Sequence, residues 1–183
     1  MLKVLDGTDP GTPSTDPIYL ICAHGRHDAC CAMRGRPAAA ALSAAFPERT
    51  WECSHIGGDR FAANLVFLPH SIFYGHVPTE EAVSLATTYN EGFVVPKYLR
   101  GSGAHPAPVQ AAQHFAREAG ASLAVDALLP TAVLRPTANT WRVHLDSGQA
   151  VTLTTTSTKI NAAMTCSALP PGQLISYSLT SLE

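Results

Sequence analysis

The stretch IYLICAHGRHDACCAMRGRPAAAALSAAF, residues 18–46, constrains the fold of this 183-residue chain more than any other. Its opening, IYLIC, is short, apolar and rich in β-branched and aromatic side chains, the composition of a buried strand that ends at Cys22. The Ala- and Leu-rich run that follows reads as a helix, with Asp28 as N-cap and a stop before Pro47, and Gly35 and Pro37 make its early part irregular. A strand, a cysteine-bearing loop and a helix in immediate succession commit the chain to a mixed α/β fold.

Beyond Pro47 the pattern continues in kind. TWECSH reads as a second strand and IGGDRFAA as a loop bent at glycine, where the backbone approaches something closely. NLVFLPHSIFYGHV is two apolar runs hinged at Pro69 and His70, a hairpin. Pro78 and Thr79 then open a helix through AVSLATTYNEG, with Glu80 and Glu81 in its first turn and a stop at Gly92. LRGSGAHPAP reads as a Gly/Pro loop, and PVQAAQHFAREAGA as an amphipathic helix closed by Gly120. From Val125 the periodicity changes to alternation: TAVLRPT, TWRVHLDSGQAVTLTTTST and LISYSLTSLE read as strands, with Asp146, Ser147 and Gly148 in a hairpin turn. The expected organisation is an irregular leader over residues 1–17, a principal α/β (α+β) domain over 18–122, and a small antiparallel β extension over 123–183 that packs on it.

Composition narrows the function. Apolar residues make up 46% and charged residues 14%, which suits a folded core, and the formal net charge of −2 leaves no basic excess to attract nucleic acid or acidic lipid. The start of the chain lacks the apolar core of a signal peptide, and no run approaches the length of a membrane span. A cytoplasmic location is the expectation, with neither nucleic acid nor membrane as partner. The five cysteines are odd in number and two are adjacent, which suits metal ligands or redox thiols in a reducing compartment better than a disulfide framework.

The candidate site follows from position. Cys22 closes a strand, where α/β folds place their chemistry. Cys31 follows at C-x8-C spacing near a helix start, where the backbone dipole and Arg34 favour thiolate. His55 follows a strand, with Asp59 four residues on across two glycines. Two sulfur donors, one nitrogen and one oxygen suit iron and zinc alike.

Several motifs taken in order, CAHGRHDACCAMRGRP, WECSHIGGDRFAANLVFLPH, YGHV and YLRG, resemble the sucrase/ferredoxin-like family, and more broadly the thioredoxin-like [2Fe-2S] ferredoxins. The similarity runs over residues 18–101, with a looser echo at TCSALPP around Cys166. It implies a thioredoxin-like fold that carries one [2Fe-2S] cluster for electron transfer, not sucrose cleavage. In the family one iron takes the two cysteines of the C-x8-C motif, here Cys22 and Cys31, and the other takes two histidines of H-x-G-G-H. This chain supplies His55 and then Asp59, a departure.

Three outcomes are open at that position: Asp59 ligates through a carboxylate oxygen, Cys30 or Cys53 takes its place, or the cluster is lost and zinc or nothing binds. Cys53 shares the parity of His55 but lies further back along the strand, and consecutive residues such as Cys30 and Cys31 rarely face one metal, so Asp59 ranks first. A ligand set of two thiolates, one imidazole and one carboxylate adds a negative charge relative to the two-histidine set and lowers the potential. His55 as a ligand would couple electron uptake to a proton.

The remaining residues read as structural. Cys30 is a helix-face thiol, Cys53 a packed strand residue, and Cys166 a surface thiol with a redox role only by its family echo. His24 and His27 are loop residues with a tuning role as the alternative, His70 and His76 are structural, and Arg60 beside Asp59 is equally a solvated or a supporting group. The chain is thus expected to be an electron carrier and not a catalyst, passing electrons between a reductase and an acceptor protein. The alternative is a thiol-redox or zinc-binding module; without a C-x-x-C the thiol reading is the weaker.

Overall fold

The structure is a computed structural model and describes residues 12, 14–26, 29–162 and 171–183. The leader falls largely outside these residues, as do His27, Asp28 and Cys166. Two sheets organise the chain.

The first has five strands in the order β2-β1-β3-β4-β5. β1 (Ile18–Cys22) and β2 (Thr50–Cys53) are parallel, joined by a π-helical turn (Cys31–Gly35) that runs directly into α1 (Arg36–Ala45). β3 (Leu65–Leu68) pairs antiparallel with β1, placing Leu20 opposite Val66, and β4 (Ile72–Tyr74) returns beside β3 as the expected hairpin. A βαβ unit followed by a hairpin and a second helix, α2 (Ala82–Asn90), is the thioredoxin-like arrangement anticipated from the motifs. Gly92, at φ 88°, ends α2 in the left-handed conformation that glycine adopts without strain.

One element differs from the sequence reading. Leu99–Ser102, expected as loop, is β5, an edge strand on β4. The run LRGS carries a glycine at φ 118° and is only half-buried, so neither alternation nor an apolar run marks it. Pairing with Ile72–Tyr74, a tertiary contact, is what makes it a strand.

The first core lies between this sheet and helices α1 and α2. Tyr19, Ile21, Leu65, Phe67 and Tyr74 face Ala38, Leu42, Leu85 and Tyr89, all buried. The rings interlock edge to face: Phe67 sits 4.8 Å from Tyr19, 5.2 Å from Tyr74 and 5.3 Å from Tyr89, centroid to centroid. Small residues at Ala38, Ala39, Ala82 and Ala86 let the helices approach these rings closely.

The second sheet has four antiparallel strands in the order β6-β7-β8-β9: β6 (Pro130–Thr137), β7 (Thr140–Leu145), β8 (Ala150–Ile160) and β9 (Gly172–Leu182). Its prolines, Pro130 and Pro136, are confined to the edge strand β6, where a missing N–H is tolerated. α3 (Ala107–Glu118), grouped by sequence with the first unit, lays Val109, Ala112 and Ala116 against Leu128, Val143, Val151 and Leu153 to form a second apolar core, beside which buried Gln113 donates to the Leu128 carbonyl at 3.0 Å.

Candidate functional site

Cys22 is the last residue of β1 and is 1% exposed. Its N–H donates to the Asn64 carbonyl at 3.1 Å, and the next N–H, of Ala23, donates to the Cys53 carbonyl at 3.2 Å. The strand end is therefore clamped on both sides. Cys31 opens the π turn and is also 1% exposed. Gly35, at the other end of that turn, lies so close to Cys22 that a β-carbon there would collide with the Cys22 carbonyl. The absent side chain lets the turn press on the strand end. The two thiols share a small buried cluster with Ala62, against which Cys30 and Ile56 pack. Arg34 ties the turn to the same wall by donating to the Ala62 carbonyl at 3.2 Å.

The opposite wall is the His55–Asp59 loop. Gly57 and Gly58 take φ of 81° and 73°, and this consecutive left-handed pair reverses the chain into a 3-10 turn, Asp59–Phe61. The reversal points the Asp59 carboxylate inward, where it is 1% exposed. Its Oδ1 lies 3.1 Å from His55 Nδ1 and 3.7 Å from Cys31 Sγ, within sulfur hydrogen-bonding range. The His55 side chain is 45% exposed, so the loop presents one buried oxygen donor and one nitrogen donor at the surface. A buried carboxylate requires polar partners, and the imidazole and the thiol supply them.

Two residues that the sequence reading passed over hold this loop. Buried Asn64 donates to the Gly58 carbonyl at 2.9 Å, and Arg100, from β5, donates to Asn64 Oδ1 at 2.9 Å and to the Gly57 carbonyl at 3.3 Å. Burial, and then the charge of Arg60, lower the Arg100 pKa from its usual value. Arg100 and Arg60 stack over Phe61, their guanidinium carbons 4.7 and 4.3 Å from the ring centre. Arg60, considered as a support for Asp59, is exposed and spends its charge on this ring. The one signal for Arg100 was its place inside YLRG.

Cys53 sits directly across from Cys22 in the β1–β2 register but outside the Cys22–Cys31 cluster. It lines a shallow cavity with Ala23, His24, Arg36, Glu52 and Ser54. Burial, and then Cys22, push its pKa up to about 11, so it is a neutral thiol at physiological pH. His70 is structural, with Nδ1 2.7 Å from the Tyr89 hydroxyl.

Among the described residues no group of three or more His, Cys, Asp or Glu side chains is arranged to hold a metal ion. The donors gather as two neighbouring pairs, Cys22 with Cys31 and His55 with Asp59. No helix among the described residues is long and apolar enough to cross a membrane.

Comparison with known proteins follows the same region. The chain is 29% identical over 98 residues to altered inheritance of mitochondria protein 32 of Meyerozyma guilliermondii, a match that covers 48% of this chain and 35% of that protein. The chain thus spans about a third of the length of that curated relative. The thioredoxin-like [2Fe-2S] ferredoxin of Aquifex aeolicus aligns with a TM-score of 0.44 and 15% identity, over 51% of this chain and 98% of that one. A cysteine-to-serine variant of the same ferredoxin aligns at 0.41 and 14%, over 48% and 100%. The family model described as sucrase/ferredoxin-like matches residues 3–101, more than half of the chain and the whole of the loop, turn and strand ends that build the site, and the chain belongs to that family.

Proposed function

We propose that this corner holds one [2Fe-2S] cluster, bound by Cys22, Cys31, His55 and Asp59, and that the chain is a one-electron carrier. The observation that carries the reading is the convergence of the two buried thiols with the Asp59 carboxylate, 3.7 Å from Cys31 Sγ and 3.1 Å from His55 Nδ1. The donor set fits: thiolates suit iron, and imidazole and carboxylate are acceptable to its harder ferric state. A two-iron group takes its ligands in pairs, and Cys22 neighbours Cys31 as His55 neighbours Asp59.

When bound, such a group supplies reversible one-electron transfer. The chain's own residues bind and shield it. Cys22 and Cys31 are held in a dry cluster, while Asn64 and Arg100 fix the loop that presents His55 and Asp59. Asp59 brings a negative charge where a second histidine would bring none, which disfavours reduction. Electrons then come from and go to other proteins.

Protein purified without oxygen should be red-brown, contain about two irons and two sulfides per chain, and give an S = 1/2 signal in low-temperature EPR on reduction. Asp59→His should raise the midpoint potential. A colourless protein that holds zinc or no metal sinks the reading. It would favour the second one, a thiol-redox or zinc module, for which the Cys31 to Asp59 contact is the supporting observation.

A further inference from the structure

Among the described residues Arg117 is the one cation with an enclosed, unpartnered side-chain nitrogen; the Tyr74 and Tyr98 hydroxyls, also enclosed without partners, are neutral. Arg117 sits in the last turn of α3, half-buried, and its side chain makes no hydrogen bond or ion pair among the described residues. Its Nε is enclosed without a hydrogen-bond partner. The neighbouring acid, Glu118, is 3.4 Å from His114 instead. Burial lowers the Arg117 pKa, and the nearby Tyr74 phenol opposes that shift. Taking a guanidinium out of water is unfavourable unless an anion accompanies it, and the negative end of α3 offsets only part of that cost.

The space for an anion is present. Arg117 borders three cavities of about 350, 300 and 250 Å³ that share Leu99; the two larger, in the volume range of small-molecule sites, also share Gly101, and the third is lined by Lys97, His114 and Glu118. The largest lies between β5, α3 and β9, with apolar walls from Leu99 and Phe115, polar groups from Gln110, His114 and Tyr177, and a second guanidinium, Arg100, already engaged by Asn64 and the Gly57 carbonyl. No carboxylate lines it among the described residues. In the second, apolar one, Asp126 is exposed and makes no ion pair with Arg117 among the described residues. At Gly101 a side chain would run into Gln110, so glycine keeps this wall thin enough for the cleft to open.

We propose that the cleft between β5, α3 and β9 binds a small organic anion, a carboxylate on a compact apolar body, with Arg117 as its counter-charge. The walls take the body and the guanidinium takes the carboxylate. The site joins the two units and shares Arg100 with the thiol corner, where that residue donates to Asn64 and Gly57; Arg117→Met leaves Arg100 in place and tests the cleft without disturbing that loop.

The test is a titration of the full chain, followed by amide NMR, with phenylacetate, its neutral amide phenylacetamide, and inorganic phosphate. Phenylacetate should shift the amides of Leu99, Gly101, Phe115 and Tyr177, and phenylacetamide should bind about tenfold more weakly or worse. Arg117→Met should abolish the preference for the acid while leaving the remaining spectrum in place. Ala111→Phe, which fills the cleft and keeps the cation, should block phenylacetate and decides the matter if the first variant does not fold. The proposal is overturned if phenylacetate causes no shift, if acid and amide bind equally, if phosphate binds as tightly as phenylacetate, or if shifts map away from the cleft or survive Ala111→Phe.

Discussion

The second core and the thiol corner of the first unit are built on opposite rules. Between α3 and the second sheet the buried side chains are aliphatic, Val109, Ala112, Ala116, Leu128, Val143, Leu145, Val151 and Leu153, apart from Gln113, which donates to the Leu128 carbonyl at 3.0 Å. At the corner of the first unit, Cys22, Cys31, Asp59 and Asn64 are as deeply buried, yet each is placed by polar contacts or by a glycine whose missing β-carbon allows the approach. Apolar packing tolerates relaxation, because a neighbouring side chain of similar shape restores most of the contact. A buried polar corner does not, because a displaced donor leaves its acceptor unsatisfied.

If that contrast is right, the largest effects belong to the glycine at the strand end. Gly35→Ala should push the π turn away from Cys22, cost more than about 3 kcal/mol, and remove bound iron as fully as Cys22→Ser does, whereas Cys22→Ser itself should stay within about 2 kcal/mol of wild type. Chemical denaturation and iron analysis on the same samples separate the two. Leu153→Ala in the second core should cost about 2–5 kcal/mol in urea melts but leave the iron content of the surviving folded protein unchanged. Loss of iron in that variant would break the comparison, because it would make the two cores one cooperative unit.

Arg100→Met should cost less, about 1–3 kcal/mol, by freeing the Gly57 and Asn64 oxygens. Its distinctive sign is faster backbone hydrogen exchange confined to residues 55–64, and a uniform rise across the protein would count against a loop-bracing role.

The smallest expected effect is alkaline. Tyr74 is pushed up to about 12 and Cys53 to about 11, both chiefly by burial, and Tyr89 is raised as well. Each raised group binds its proton more tightly when folded. Its contribution is therefore whole below the unfolded pKa, near 10 for Tyr74 and 9 for Cys53, and is lost as pH rises through the folded value. For Tyr74 the loss is on the order of 2 kcal/mol between pH 10 and 12. All three groups lie in the first unit, so the near-ultraviolet signal of its tyrosines should change before the β-sheet signal of the second. The reverse order would contradict the assignment.

What was legible in the sequence was local. Ile18–Cys22, the 65–74 hairpin, α2 ending at Gly92 and the Asp146–Gly148 turn were each marked by periodicity, a breaker or a cap within a few residues. The structure places Cys22 with Cys31 and His55 with Asp59, neighbours that the motif spacing had put on the strand end, the turn and the glycine loop. β5 was missed because its four residues become a strand only beside β4. Arg100 was missed because it acts on Gly57, 43 residues away.

The sequence by itself determined the α/β order of elements, the family and which side chains could do chemistry, because these depend on neighbours along the chain. Only the tertiary structure decided that Gly35 seats the turn against Cys22, that α3 belongs with the second core, and that Arg117 borders a cleft without a partner among the described residues. Those outcomes depend on volume and charge brought together across long stretches of chain, and no local pattern encodes a distance through space.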